Sequence, residues 1–129
     1  MPNDKLNKIA QKVIDKVNPQ NNENFGAIIT ILMVISIILT VIRVLQECNK
    51  SKLSSFTGRD KQAYFAEQIK TTVIKRSWFS KMMLKKAIRK ELGRDTYKQY
   101  GVELMNAILD TGEELKDDEL ITLAEAANV

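Results

Sequence analysis

The sequence has no histidine, one cysteine and two prolines among its 129 residues. Histidine is the most common general base and a versatile metal ligand, so its absence excludes the most frequent acid–base and metal sites. Cys48 alone forms neither an internal disulfide nor a cysteine-rich zinc site. Because the chain also lacks a Gly-rich phosphate loop and a nucleophile with a base beside it, we expect no enzyme activity, no catalytic residue, no metal and no cofactor.

Charged and apolar residues are unevenly distributed along the chain. One dense apolar block is followed by a basic region and then by an acidic end. This pattern predicts an all-α fold with an N-terminal amphipathic helix, one long apolar helix and a small C-terminal bundle of three to four helices. The expected boundaries are 1–24 for the amphipathic helix and a polar hinge, 25–45 for the apolar helix, 46–59 for a linker and 60–129 for the helical domain.

The amphipathic helix is predicted from Asp4 to Val17, because its apolar residues recur at spacings of three and four. They are Leu6, Ile9, Ala10, Val13, Ile14 and Val17. Pro19 disfavours a helical conformation at Asn18, so the helix is expected to end there. The polar run 20–24 is then expected to be a hinge.

The apolar block has the length of a membrane span. About 20 residues of helix cover the ~30 Å hydrocarbon layer, and Arg43 near the end can extend its guanidinium to the headgroups. The predicted span is marked by Phe25, Gly26, Ile35, Ile38, Ile42 and Leu45. More basic residues follow this span than precede it, which predicts a single-pass protein with its C-terminal domain in the cytoplasm. The alternative is an apolar helix that neighbouring protein subunits bury.

Start and stop signals predict four helices in the last segment. Asp60 and Ser77 are the expected N-caps, Asp117 or Asp118 is expected to start the last helix, and Gly93 and Gly112 are the expected ends. The predicted helices cover about 60–75, 77–93, 95–110 and the residues after 117.

The window from Lys70 to Arg94 contains nine basic residues and one acidic residue, Glu91. Interleaved aromatic and basic side chains are typical of helices that lie on a membrane surface. The predicted basic patch consists of Lys75, Arg76, Trp78, Phe79, Lys81, Lys85, Lys86, Arg89 and Lys90. Three interpretations stay open: pairing with the acidic end of the chain, contact with an anionic lipid or protein surface, and sequence-independent binding of nucleic-acid phosphates.

These features together predict a non-enzymatic single-pass membrane anchor or assembly protein. The short chain and its richness in Lys, Asn and Ile suit a structural protein of a virus or phage, within a virion and associated with a membrane. Expected partners are a membrane and other subunits or further copies of the chain. Two alternatives are a holin-like pore-forming lysis protein and a soluble subunit of a large assembly.

Overall fold

The first helix, α1, covers Pro2–Asn21 and turns its apolar stripe towards the interior of a helical bundle. The computed structural model describes residues 2–21 and 28–129, with side chains from 4–17 and 28–129. All six residues of the predicted stripe are buried, which confirms the amphipathic helix. The helix continues past Pro19, because the extended preference of the residue before proline is a bias and not a prohibition. The expected hinge residues 22–24 lie outside the described residues.

The apolar helix, α2, covers Ile31–Cys48. It begins six residues later than predicted, because Thr30 has an extended backbone and caps the helix by accepting a hydrogen bond from the Met33 amide at 3.2 Å. It ends three residues later than predicted, where the side-chain amide of Asn49 donates to the Leu45 carbonyl at 2.8 Å. At about 1.5 Å per residue, α2 is roughly 27 Å long.

The predicted linker is partly helical. A single turn, α3, covers Lys50–Leu53, and α4 follows at Gly58–Gln68. Asp60 lies in the first turn of α4 and is not its N-cap, which is Thr57. The helical path continues through a π-helical segment at Ile69–Val73, where the backbone bonds reach five residues back.

Three further helices complete the chain: α5 at Trp78–Leu92, α6 at Arg94–Glu114 and α7 at Asp117–Ala126. The glycine at position 93 ends α5 as predicted, with a φ of +85° that suits a residue without a β-carbon. Gly112 does not end α6. A β-carbon there would lie 3.0 Å from the Ile74 side chain, so this glycine permits close packing against the π-helical segment.

All seven α-helices contribute to one hydrophobic core, and the residues that the structure describes contain no strand. The all-α prediction is therefore confirmed. α2 packs against α1, α5 and α7, while α1 also packs against α6. The apolar helix thus shares its core with helices that precede and follow it in the chain.

A small apolar cavity of about 50 Å³ remains beside the π-helical segment. Its wall includes Thr111, which is 1% exposed and whose hydroxyl has no hydrogen-bond partner among the described residues. A buried hydroxyl without a partner destabilises a fold, because it has lost its hydrogen bonds to water. Thr111 is therefore a site where the native sequence is not optimised for stability.

Replacing Thr111 with valine is expected to raise the free energy of unfolding by about 1 kcal/mol, because valine keeps the shape and removes the unpaired hydroxyl. Thr122→Val is the matched control, since Thr122 is 6% exposed but donates to the Asp118 carbonyl at 2.9 Å. This control is expected to lose about 1 kcal/mol. Urea denaturation followed by circular dichroism measures both changes, and equal losses would contradict the prediction.

Candidate interaction surface

Helix α5 has one face in the core and one face in water. Its buried side chains recur at spacings of three and four: Ser80, Met83, Leu84, Ala87 and Ile88. The helix begins where the Ser77 hydroxyl accepts a hydrogen bond from the Ser80 amide at 3.1 Å, so the predicted N-cap is confirmed. This register leaves the basic residues of α5 on the outer face.

The outer face combines apolar side chains with cations. Trp78 is 77% exposed, and Met82, one turn further along, is 40% exposed. Spacings of three and four place Lys85, Lys86 and Arg89 on the same side of the helix as these two residues. We call this surface, extended by Phe79, Lys81 and Lys90, the α5 face.

The single acidic residue of the window faces the neighbouring helix. The Ser36 hydroxyl of α2 donates to the Glu91 carboxylate at 3.1 Å, and Glu91 is half-buried. This bond joins α2 to α5 and removes the only negative charge of the window from the outer face. The α5 face therefore carries positive charge alone.

The ion pairs of the acidic end divide equally between the lysines of α1 and two cations that precede α5. Lys12 contacts Glu119 at 3.4 Å, and Lys16 contacts Glu114 at 2.6 Å. A longer pair joins the N-terminal helix to α7 at Lys5–Asp118, 3.9 Å. Pairing of this acidic end with the basic window was one of three interpretations that the sequence left open, and the sequence did not identify the lysines of α1 as partners. The four-residue spacing of Lys12 and Lys16, which places both on one side of α1, was the available signal.

Two cations of the window do pair with the acidic end. Lys70 contacts Asp117 at 3.2 Å, and Arg76 bridges Asp110 and Glu113. The hydrogen bonds that the Arg76 guanidinium donates to the carboxylates of Asp110 and Glu113 raise its pKa above the ordinary value. Both cations lie outside α5, before its first residue. Pairing with the acidic end thus accounts for two of the nine basic residues.

Most of the remaining cations form no ion pair with any residue that the structure describes: Lys75, Lys81, Lys85, Lys86, Lys90 and Arg94. Arg89 stacks on the Tyr97 ring at 5.0 Å from its centroid and keeps its charge. The patch predicted from sequence is therefore brought together on one helix, with the exceptions of Lys75 and Arg76, which precede it.

A surface groove runs between α5 and α2. Val41 and Val44 of α2 form one wall, and Phe79, Met83 and Ala87 of α5 form the other. Three cations of α5 stand beside it: Lys86, Arg89 and Lys90. The groove is apolar at its floor and positive at its rim, and it connects the α5 face to the end of the apolar helix.

The residues that mark the predicted span have different surroundings. Ile42 and Leu45 are buried in the core, whereas Ile35 and Ile38 are half-buried. Phe25 and Gly26 lie outside the described residues. By length and composition α2 is suited to cross a membrane, a property that core helices of soluble proteins share.

Metal-binding groups are not assembled in residues 2–21 and 28–129, where no three carboxylate or thiol side chains lie together. The α5 face can attract anions and contact apolar groups.

Comparison of the chain with protein-family models, with curated proteins and with solved structures gives no significant match. The functional argument therefore rests on the geometry of this chain.

Proposed function

We propose that this protein is a non-enzymatic assembly protein that acts as a closed helical bundle and self-associates through the exposed side of α2. The observation that carries the proposal is the position of Leu32, which is 76% exposed on the most apolar helix of the chain. Leu32 lines one groove together with Ile35 and Leu39, and a contiguous apolar patch, unlike a single exposed residue, is typical of a surface that a partner covers.

A groove beside Leu32 provides the contact surface. Ile35 and Leu39 of α2 line it together with Leu6 of α1 and Ala126 of α7. We call these residues the α2 groove. Polar side chains at its edge are Asn7, Glu125 and Asn128. An apolar centre with a polar rim is the arrangement found at protein–protein interfaces, and a second copy of the chain supplies a self-complementary partner.

The inner side of α2 supports the closed bundle. Five of its eighteen residues are buried against other helices: Val34, Ile37, Val41, Ile42 and Leu45. One of those helices is α5, whose cations make it unsuited to the hydrocarbon layer. A bilayer-spanning α2 would therefore have to separate from α5, leaving the inner side chains of both helices without their present partners. A virus or phage particle is one assembly in which a closed bundle of this kind would serve as a subunit.

A single-pass membrane anchor is the second candidate function. It is favoured by the length and composition of α2 and by the exposure of Leu32 and Val44. In that case the C-terminal domain is proposed to lie in the cytoplasm, as the distribution of basic residues suggests. The two candidates differ in one measurable property: a spanning helix resists extraction with alkaline carbonate, and a closed bundle is released.

The decisive variant is Leu32→Asp. Aspartate at an exposed position is expected to change the stability of the bundle by less than about 0.5 kcal/mol. In the α2 groove it is expected to convert the self-associated protein to the 14.7 kDa monomer, because assembly would bury an unpaired charge. Val102→Asp is the matched control, since Val102 is 60% exposed on α6 outside the groove. Light scattering after size-exclusion chromatography measures the mass.

Each outcome decides between the candidates. A carbonate-soluble oligomer that Leu32→Asp dissociates and Val102→Asp leaves intact supports the proposed function. A carbonate-resistant protein supports the membrane anchor whatever Leu32→Asp does, because Leu32 is the second residue of α2 and a charge there would lie near the headgroups of a bilayer. Carbonate resistance with rapid loss of membrane potential on expression would instead support a holin-like pore. A soluble monomer contradicts the proposal and both membrane-spanning alternatives.

A further inference from the structure

We infer that the α5 face is a docking surface for a membrane that contains anionic phospholipids. The bundle attaches to the lipid surface with α5 lying flat, and α2 stays inside the bundle. This interaction is separate from self-association through the α2 groove, which uses other residues. The argument has three parts: unpaired charge, exposed apolar side chains and the shape of the groove.

The charge of the α5 face is available to an external partner. Its lysines make no ion pairs within the described chain, and Glu91, the one acid of the Lys70–Arg94 window, is bonded to Ser36 of α2. Six acidic residues of α6 and α7 form ion pairs with lysines of α1, with Lys70 or with Arg76, namely Asp110, Glu113, Glu114, Asp117, Asp118 and Glu119. An anionic surface is therefore the complementary partner, and each lysine near such a surface strengthens binding about fivefold.

Exposed apolar side chains on the α5 face favour an anionic lipid surface over other anionic partners. Trp78 extends furthest into solvent, and tryptophan is the residue most favoured at the headgroup level of membranes. Met82 follows Trp78 on the same side, with Lys81 and Lys85 to one flank and Lys86 to the other. This arrangement lets the apolar centre enter the headgroup region while the flanking cations contact phosphates.

The groove between α5 and α2 gives a second reason for lipid. Val41, Val44 and Ala87 give it an aliphatic lining suited to lipid, whereas Phe79 in the same lining is a group that also stacks on nucleic-acid bases. An acyl chain or the apolar part of a headgroup fits against them. The cations beside the floor, Lys86 and Lys90, are placed to hold the phosphate that such a lipid carries. The aliphatic side chains and the position of these cations favour lipid, and the comparison of vesicles with DNA below tests nucleic acid as the alternative.

The test uses the full chain and its single tryptophan, which lies in the surface itself. Vesicles of phosphatidylcholine, with or without phosphatidylglycerol, are added while Trp78 fluorescence is recorded, and binding is confirmed by sedimentation. A blue shift with the anionic vesicles alone, reversed by high salt, is the expected result. No shift and no sedimentation with anionic vesicles would overturn the inference.

Two triple variants test whether vesicle binding depends on the lysines of the α5 face or only on the net charge of the protein. Lys85→Gln, Lys86→Gln and Lys90→Gln together are expected to weaken vesicle binding about 100-fold, since three contributions of about fivefold are lost. Lys50→Gln, Lys52→Gln and Lys61→Gln remove the same charge outside α5 and are expected to bind nearly as well as the native chain. Equal weakening by both triples would overturn the inference.

Two further measurements identify the partner as lipid or nucleic acid and test whether vesicle binding is independent of the proposed self-association. Binding of a short DNA duplex with no binding of anionic vesicles would replace lipid by nucleic acid and overturn the inference. The Leu32→Asp variant is expected to bind anionic vesicles with an affinity within a few-fold of that of the native chain. A native oligomer gains additional affinity where several of its copies contact one vesicle. Loss of self-association with retained vesicle binding would show that the two surfaces act independently, whereas loss of all vesicle binding in this exposed variant would contradict the assignment to α5.

Discussion

Replacing Leu45 with alanine is expected to lower the free energy of unfolding by about 2–5 kcal/mol. The same change at Leu32 is expected to lower it by less than about 0.5 kcal/mol. The two leucines lie on one helix, with Leu45 1% exposed and Leu32 76% exposed. Removing the buried side chain leaves a cavity in the core that α2 shares with its neighbours, whereas the exposed side chain leaves none.

The comparison tests whether α2 belongs to the bundle in solution. Urea denaturation of both variants, followed by circular dichroism below the concentration of self-association, gives the two free energies. If α2 were a lipid-facing helix separate from the remaining helices, both changes would leave the stability of the soluble domain unaltered. Equal effects of Leu45→Ala and Leu32→Ala would therefore contradict the described packing of α2.

Replacing Phe65 with alanine has the largest expected effect on stability, about 3–5 kcal/mol. Phe65 of α4 is fully buried and is the largest of the fully buried side chains among the described residues. A typical domain has only about 5–15 kcal/mol of stability, so this variant is expected to be partly unfolded at body temperature. Thermal denaturation followed by circular dichroism measures the loss.

Phe79→Ala is the matched control for Phe65→Ala. Phe79 is 37% exposed and lies in the α5 face, so its removal is expected to cost less than about 1 kcal/mol of stability. Its expected effect is instead on vesicle binding, which it weakens by removing an apolar contact with lipid. A large stability loss from Phe79→Ala would show that Phe79 is more buried than described, and no loss from Phe65→Ala would show that Phe65 is less buried than described.

Local signals in the sequence predicted most helix boundaries after residue 76. Ser77 and Gly93 act within one turn of their own position, the first through its hydroxyl and the second through its permitted φ. Such signals do not depend on the tertiary fold. Gly112 is the exception, because its role is set by the neighbouring Ile74 side chain and not by its own helix.

Local signals in the sequence did not predict how α2 packs. An uninterrupted apolar run has the same composition whether lipid or protein surrounds it. The difference depends on α1 and α5, which present apolar stripes that α2 covers. The basic patch was predicted residue by residue, but its pairing was not. Arg76 pairs with the acidic end, whereas the lysines of α5 do not, and three carboxylates pair instead with lysines of α1 that lie far away in the sequence.

The pairing between α1 and the acidic helices also has a consequence for synthesis of the chain. Lys12 contacts Glu119, a residue 107 positions later. At about 5–20 residues per second, a ribosome needs on the order of ten seconds to add the segment between them. The N-terminal helix therefore emerges long before its partners exist.

During those seconds α2 has left the ribosome with α1 but without α5 and α7, which also pack against it. Part of its apolar surface is then accessible to any surface that the nascent chain meets, including lipid, and the bundle cannot close completely until α5, α6 and α7 emerge. The timing of translation, together with sequence, thus selects the first environment of α2. Slower translation of the C-terminal half favours capture, and faster translation favours closure.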